Sequence, residues 1–230
     1  MKKILLIISA VAVFSLHGFS QSRTNEFGVK IGTGLCWAGS GSEMVSNEGV
    51  HFGVDLGLIG NWYFTKHIAF STGLNFNYMR MKYQFTDYRS VPDFLEMTNV
   101  SVSRRVKGTY LEVPLKVKVK AEIMEAWSAY VDAGVGLGFN LSDFTKDEYE
   151  FYWVKEDETT YSDRSYQYRV LQPAINVGLG AEYEINRSFR AFAQLSVNHA
   201  LTNTFTKDLA KQTGSIINTN FIGLEFGILY

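Results

Sequence analysis

Residues 27 to 230 alternate apolar side chains with polar ones or glycine in eight separate runs, and no helical period competes. A period of two puts successive side chains on opposite faces of a strand, so the chain is committed to β-structure. The first apolar row is Phe27, Val29, Ile31 and Leu35, and the second takes even positions from Val50 to Phe64. The third is Ile68, Phe70, Leu74, Phe76 and Tyr78. Odd positions carry the next three, from Leu111 to Val119, Trp127 to Phe139 and Leu171 to Tyr183. The seventh is Phe189, Ala191, Ala193, Leu195 and Val197, with Phe192 as an exception, and the eighth takes even positions from Ile222 to Tyr230.

Connections alternate as well. Those near Thr65-Lys66, Ala121 to Ala126 and Asn186-Arg187 are short, whereas 37–49, 79–105, 141–169 and 200–217 read as long and polar. Short turns at one end and long loops at the other are the plan of an outer-membrane barrel, with the short turns in the periplasm. The expected fold is an all-β, eight-stranded antiparallel up-and-down transmembrane β-barrel, with both chain ends at the periplasmic side. In such a barrel the apolar rows face lipid and the lumen is polar, the reverse of a soluble barrel. Glycines fill much of the opposite face, where a narrow lumen needs room for long charged side chains.

Two further features point the same way. Phe27, Trp62, Phe64, Trp127, Tyr183, Phe189 and Tyr230 all fall on the apolar face at the short-turn end, as an aromatic girdle among headgroups does. The last strand ends on an aromatic with alternating apolar residues before it, resembling the signal that hands outer-membrane barrels to the assembly machinery.

The N-terminus supplies the route of export. Lys2 and Lys3 precede an apolar stretch from Ile4 to Leu16, and Gly18 and Ser20 are small residues ahead of Gln21. This reads as a signal peptide over residues 1–20, cleaved after Ser20, with a barrel domain over 21–230. The apolar stretch is too short to span a bilayer as an anchor, which needs about 20 residues. Cys36 is the only cysteine, so no disulfide or cysteine-based metal site forms within the chain. The net charge of −1 gives no footprint for nucleic acid. No cofactor and no metal are expected.

The segment Tyr110-Leu-Glu-Val-Pro-Leu-Lys116 resembles the tyrosine-leucine-glutamate-isoleucine-proline-leucine motif of the PorT-like outer-membrane β-barrels of Bacteroidetes. Gly178-Leu-Gly-Ala-Glu-Tyr183 supports the resemblance, as does Ala200-Leu-Thr-Asn203, which has alanine where the family commonly has glycine. It spans the mature chain. It implies a non-enzymatic barrel of the Gram-negative outer membrane whose outer loops or periplasmic rim engage partners. The family's founding member is implicated in type IX protein secretion, while most relatives have no assigned activity. Partners implied are outer-membrane lipid, the barrel assembly machinery during biogenesis, and a secretion-system or surface protein.

Charges expected in the lumen are Lys30, Asp55, Glu112, Lys116, Lys118, Asp132, Glu182, Arg190 and Glu225, nearly balanced in sign and read as a structural network of ion pairs. Conduction of ions is the alternative. Pro114 removes an N–H where a closed barrel has no edge, so a bulge or a missing ladder bond is expected there, bridged by Glu112 and Lys116. Lys120 is expected to emerge at the periplasmic turn. A second alternative is a lipid-modifying enzyme using His199, although no nucleophile and carboxylate have recognisable spacing around it. The acidic, aromatic stretch from Asp143 to Arg169 reads either as a partner surface or as two strands continuing and turning at Lys155 to Thr160. Arg104 and Arg105 are candidate contacts for anionic lipid.

Overall fold

The computed structural model describes residues 25–40, 45–90, 97–150, 155–156, 169–204 and 217–230. The expected leader at 1–20 lies outside them. The elements are β1 (Asn25–Ser40), β2 (Val45–Asn47), β3 (His51–Tyr63), β4 (Ile68–Ser90), β5 (Met97–Met124), β6 (Trp127–Glu150), β7 (Lys155–Glu156), β8 (Leu171–Glu184), β9 (Arg190–Ala200) and β10 (Ile217–Leu229). The ring runs β4-β3-β1-β10-β9-β8-β6-β5, and β5 pairs back onto β4. Every pairing is antiparallel, and all but the β1–β10 closure join sequence neighbours in the ring, with β2 and β7 as short additions to β4 and β6. This is an eight-stranded antiparallel up-and-down barrel. Its seam joins β1 to β10 from Gly28↔Leu229 to Ser40↔Ile217. Reciprocal hydrogen bonds lock its rim, Phe27 N to Tyr230 O at 2.9 Å and Tyr230 N to Phe27 O at 2.7 Å.

The apolar rows face outward. Val29, Leu58, Val117, Leu179 and Leu224 are each about half exposed on the outer wall, while Asp55, Lys118, Asp132 and Glu182 are buried inside. Above a sharp level this arrangement inverts. On β4 the outward residues change from Leu74 and Phe76 to Arg80, Lys82 and Gln84. Its inward residues change from Ser71, Asn75 and Asn77 to Met79, Met81, Tyr83 and Phe85. β5 inverts beside it, with Lys107, Arg105 and Ser103 outside and Tyr110, Val106 and Val102 inside. The barrel thus has two surroundings. An apolar outer wall of roughly eleven residues per strand matches a bilayer crossing. The part above is built like a water-soluble sheet, apolar within and polar without.

The inversion corrects the reading of 79–105 as a polar connection, and at 141–150 it agrees with the alternative in which the flanking strands continue. β4, β5 and β6 have 23, 28 and 24 residues, against 14, 11 and 13 for β8, β9 and β10. The three long strands continue past the apolar band as one sheet. Met81, Tyr83, Phe85, Val102 and Val106 pack with Ala38, Val45 and Ile217 beneath it. The reversal expected at Lys155 to Thr160 comes earlier in the chain, because Glu150 pairs with Lys155 and Tyr149 with Glu156. Residues 151–154 and 157–168 lie outside the described residues, as do the side chains of 143–150 and 155–156.

Pro114 also behaves differently from one of its two expectations. It pairs with Gly136 in unbroken register, so there is no bulge at the proline. The missing ladder is on the other side: pairing with β4 runs to Thr72↔Leu115, lapses, and resumes at Asn75↔Glu112 in the same register. Register shifts fall instead at Thr109/Tyr110 and Glu122/Met124.

Close approach explains one glycine in particular. A Cβ on Gly134 would stand 2.1 Å from the carbonyl oxygen of Leu115 and 2.6 Å from Lys116 Cα, both backbone atoms of β5. Gly134→Val is expected to prevent assembly of the folded barrel, read as loss of the heat-modifiable band on unheated gels. Gly136→Ala meets only the ends of Glu112 and Asn176 and is expected to keep that band.

Candidate functional site

The lumen is the site that the strand parity builds. At the short-turn rim, Glu26 accepts hydrogen bonds from Tyr63 at 3.0 Å and Asn61 at 3.3 Å and pairs with Arg190. Lys120 Nζ reaches Glu182 at 3.2 Å and Glu26 at 3.8 Å, while Lys118 pairs with the other Glu182 oxygen. Lys118 also stands 4.1 Å from the Tyr130 ring, and Lys120 stands 4.8 Å from that of Tyr63. Lys120 therefore does not emerge at the turn. It points inward as a bridge between two carboxylates, which pairing makes tolerable in a buried place.

An apolar layer of Tyr130, Phe192, Leu229 and Ile59 follows. Phe192 is out of phase with its row because it fills the lumen. Its partner across the ladder is Gly227, as Gly180 is for Tyr130. A Cβ on either glycine would be 2.5 Å from the ring it faces. Next come Lys30, 2.8 Å from both Asp55 and Glu225, and Lys116, 2.9 Å from Asp132.

Glu112 is held by amides. Asn176 donates to it at 2.8 Å, Asn198 at 3.0 Å and Asn77 at 3.4 Å. Lys116 does not bridge the lapse at Pro114, because it turns to Asp132 on β6, and Glu112 reaches β4 only beyond the lapse, at Asn77. A polar chamber of about 30 Å³ lies among Lys30, Asp55, Asn75, Glu112 and Lys116, room for roughly two waters. Toward the long-strand end, Met79, Tyr110, Phe221 and the buried Cys36 cluster above it. The Cys36 thiol donates to the carbonyls of Arg80 and His51 at 3.0 and 3.2 Å.

All nine lumen charges anticipated from the sequence thus lie on the inner wall, together with Glu26 and Lys120, which were missed. Both continue a charged parity by one step past the run assigned to it, Glu26 before Lys30 and Lys120 after Lys118. The seven aromatic residues lie at the opposite, outer surface of the short-turn rim. Phe27 and Trp62 meet edge-on at 5.6 Å, Trp127 and Tyr183 are 4.9 Å apart, and Phe189 and Tyr230 are 5.4 Å apart. Phe64 is among the most exposed, at 75%.

The profile of the outer membrane protein β-barrel domain family matches residues 19–206 of this sequence. The chain belongs to that family. It is a protein of the outer membrane, and the apolar outer wall is where this barrel meets lipid. No curated protein matches it in sequence. Among solved structures it is similar to the Neisserial surface protein A, at 8% identity over 88% of this chain and 95% of that one, with a TM-score of 0.40. It is also similar to the N-terminal β-barrel domain of Pseudomonas aeruginosa OprF, at 11% identity over 91% and 100%, TM-score 0.38. A third is the Yersinia pestis attachment invasion locus protein Ail, at 13% identity over 90% and 99%, TM-score 0.35.

In this outer-membrane barrel His199 is exposed on the outer wall, with Nδ1 against the Asn220 side-chain oxygen. Ser196 on the same strand faces the lumen and donates to the Gly223 carbonyl at 3.4 Å, so the two lie on opposite faces. His199→Ala is expected to leave the lipid A profile of expressing cells unchanged by mass spectrometry; an altered acylation or headgroup pattern would establish enzyme chemistry. Among the described residues, no group of three His, Cys, Asp or Glu is placed to hold a metal. The adjacent arginines separate: Arg104 turns inward, 5.1 Å from the Phe85 ring, while Arg105 is exposed outside. Glu48, outside the lipid band beside β2, pairs with Lys82 at 3.1 Å and accepts from Ser103. Partial burial pushes its carboxyl up, but the Ser103 hydroxyl and Lys82 outweigh this and hold it below its ordinary range.

Proposed function

We propose that this outer-membrane barrel is a non-enzymatic, PorT-like docking protein. Its lumen is a structural plug, and the sheet raised by β4, β5 and β6 beyond the lipid band is the surface that engages a partner protein. The observation that carries this reading is the length of those strands together with the apolar core beneath them, which gives a rigid platform rather than loose loops. The ion pairs and the aromatic layers that fill the lumen support a plug over a channel, and the segment Tyr110 to Lys116 supports type IX secretion as the process served. In this reading residues 1–20 are the export signal and the assembly machinery inserts the barrel. Phe27, Trp62, Phe64, Trp127, Tyr183, Phe189 and Tyr230 anchor the short-turn rim among periplasmic headgroups.

Photo-crosslinking residues at Gln84 and Ser103, on the outer face of the platform, test the docking surface against a control at lipid-facing Leu58. The expected result is protein adducts from the first two positions, including a secretion component, and only lipid from the third. Adducts with no protein at Gln84 or Ser103 would overturn docking. Unimpaired type IX secretion after deletion of the gene would remove the secretion link.

A further inference from the structure

The outer wall just above the apolar band carries an uneven charge. Arg80 and Lys82 on β4 and Arg105 and Lys107 on β5 all point outward, and the register opposes them directly as Arg80↔Lys107 and Lys82↔Arg105. Directly opposed side chains on paired strands have Cβ atoms about 5 Å apart, and like charges in that relation are unfavourable. Solubility alone is served better by interspersed signs. At the matching ends of β1, β9 and β10 the outward residues are Trp37, His199, Asn218 and Asn220, so the cations form a patch on one side of the barrel. The Arg80 guanidinium lies 5.3 Å from the Tyr78 ring, and Lys82 reaches Glu48 at 3.1 Å.

Depth identifies what this patch meets. Tyr78 is the last aromatic of the lipid-facing row on β4. Arg80 and Lys82 follow by two and four residues, about 7 and 13 Å along the strand. With the strand tilted by about 40° that is roughly 5 to 10 Å of height, the thickness of the headgroup layer outside the hydrocarbon core. We propose that Arg80, Lys82, Arg105 and Lys107 form a binding site for the phosphate groups of an outer-leaflet glycolipid. The acyl chains of the bound lipid lie against Leu74, Phe76 and Leu111 directly below. Guanidinium forks take phosphate oxygens in pairs and ammonium groups add point charge, so the two opposed pairs make two adjacent phosphate seats.

The test titrates the full chain, folded in detergent, with bis-phosphorylated lipid A and reads bound lipid by native mass spectrometry. One tightly held lipid per barrel is expected. Arg80→Gln with Lys107→Gln is expected to weaken it roughly thirtyfold, at about one charge's contribution per cation removed. Lys82→Gln with Arg105→Gln provides a second, independent pair, and Arg80→Lys with Lys107→Arg is expected to retain binding. Dephosphorylated lipid A should bind wild type as weakly as the phosphorylated lipid binds the glutamine variants. Heat-modifiable migration verifies that each variant is folded. Unchanged affinity in both folded glutamine pairs, or equal affinity for dephosphorylated lipid A, would overturn the proposal. So would displacement of the lipid by millimolar inorganic phosphate, which would make this a free-anion site.

Discussion

Replacing Glu182 by glutamine is expected to destabilise the folded barrel by about 3–5 kcal/mol, the usual cost of removing one partner from a buried ion pair. Glu182 is only 1% exposed and takes Lys118 on one carboxylate oxygen and Lys120 on the other. The amide keeps the shape but leaves the Lys118 ammonium facing no carboxylate and Lys120 with Glu26 alone, at 3.8 Å. Urea unfolding in detergent, followed by gel migration, measures the loss. The triple change Lys118→Met, Lys120→Met and Glu182→Leu is expected to recover most of it, because removing both signs together leaves no orphan. A loss below about 1 kcal/mol for Glu182→Gln would mean the pair is worth no more than an exposed one, and the plug reading would fall.

Leu58→Arg is expected to cost about 2–4 kcal/mol in a bilayer, the depth-dependent penalty for a cation on the lipid face of a transmembrane barrel. Leu58 is 57% exposed near the middle of β3, so on a water-soluble barrel the same change would be close to neutral. Gln84→Arg, on the outward row of β4 above the inversion, is expected to cost nothing measurable. Folding titrations in phospholipid vesicles compare the two, and equal tolerance at both sites would contradict a lipid-facing wall at Leu58.

The lipid-crossing half of the molecule was legible because lipid outside and a narrow polar lumen inside impose one uninterrupted alternation on each strand. The upper half was legible only as one of two alternatives, for the same reason. After Tyr78 the solvent outside changes, and Met79, Met81, Tyr83 and Phe85 take over the apolar role on the opposite parity. A reading that follows a single phase stops there and sees a polar loop. The run from Met79 to Phe85, alternating with Arg80, Lys82 and Gln84, is nevertheless a period-two signal of its own. Phe192 was anomalous only until Gly227 was seen opposite it. The partners of Glu112 could not be read at all, since the three asparagines come from strands whose register around the ring sets which side chains meet. Pro114 signals a missing donor, but only the register shows that the lapse is absorbed opposite Gly73 and Leu74 without a bulge.

A spin-label scan along β4 tests the central claim most directly. Cys36 is the only cysteine, and Cys36→Ser keeps a donor to the same carbonyls while freeing the chain for single labels from Ala69 to Gln84. In phospholipid vesicles the account predicts oxygen-accessible labels at Phe70, Leu74 and Phe76, then a switch to a water-soluble relaxation agent at Arg80, Lys82 and Gln84. Shielded labels are predicted at Asn75, Asn77, Met79, Met81 and Tyr83. Even positions that contact the water-soluble agent along the whole strand, with no switch after Tyr78, would contradict a barrel whose wall faces lipid below that level and water above it.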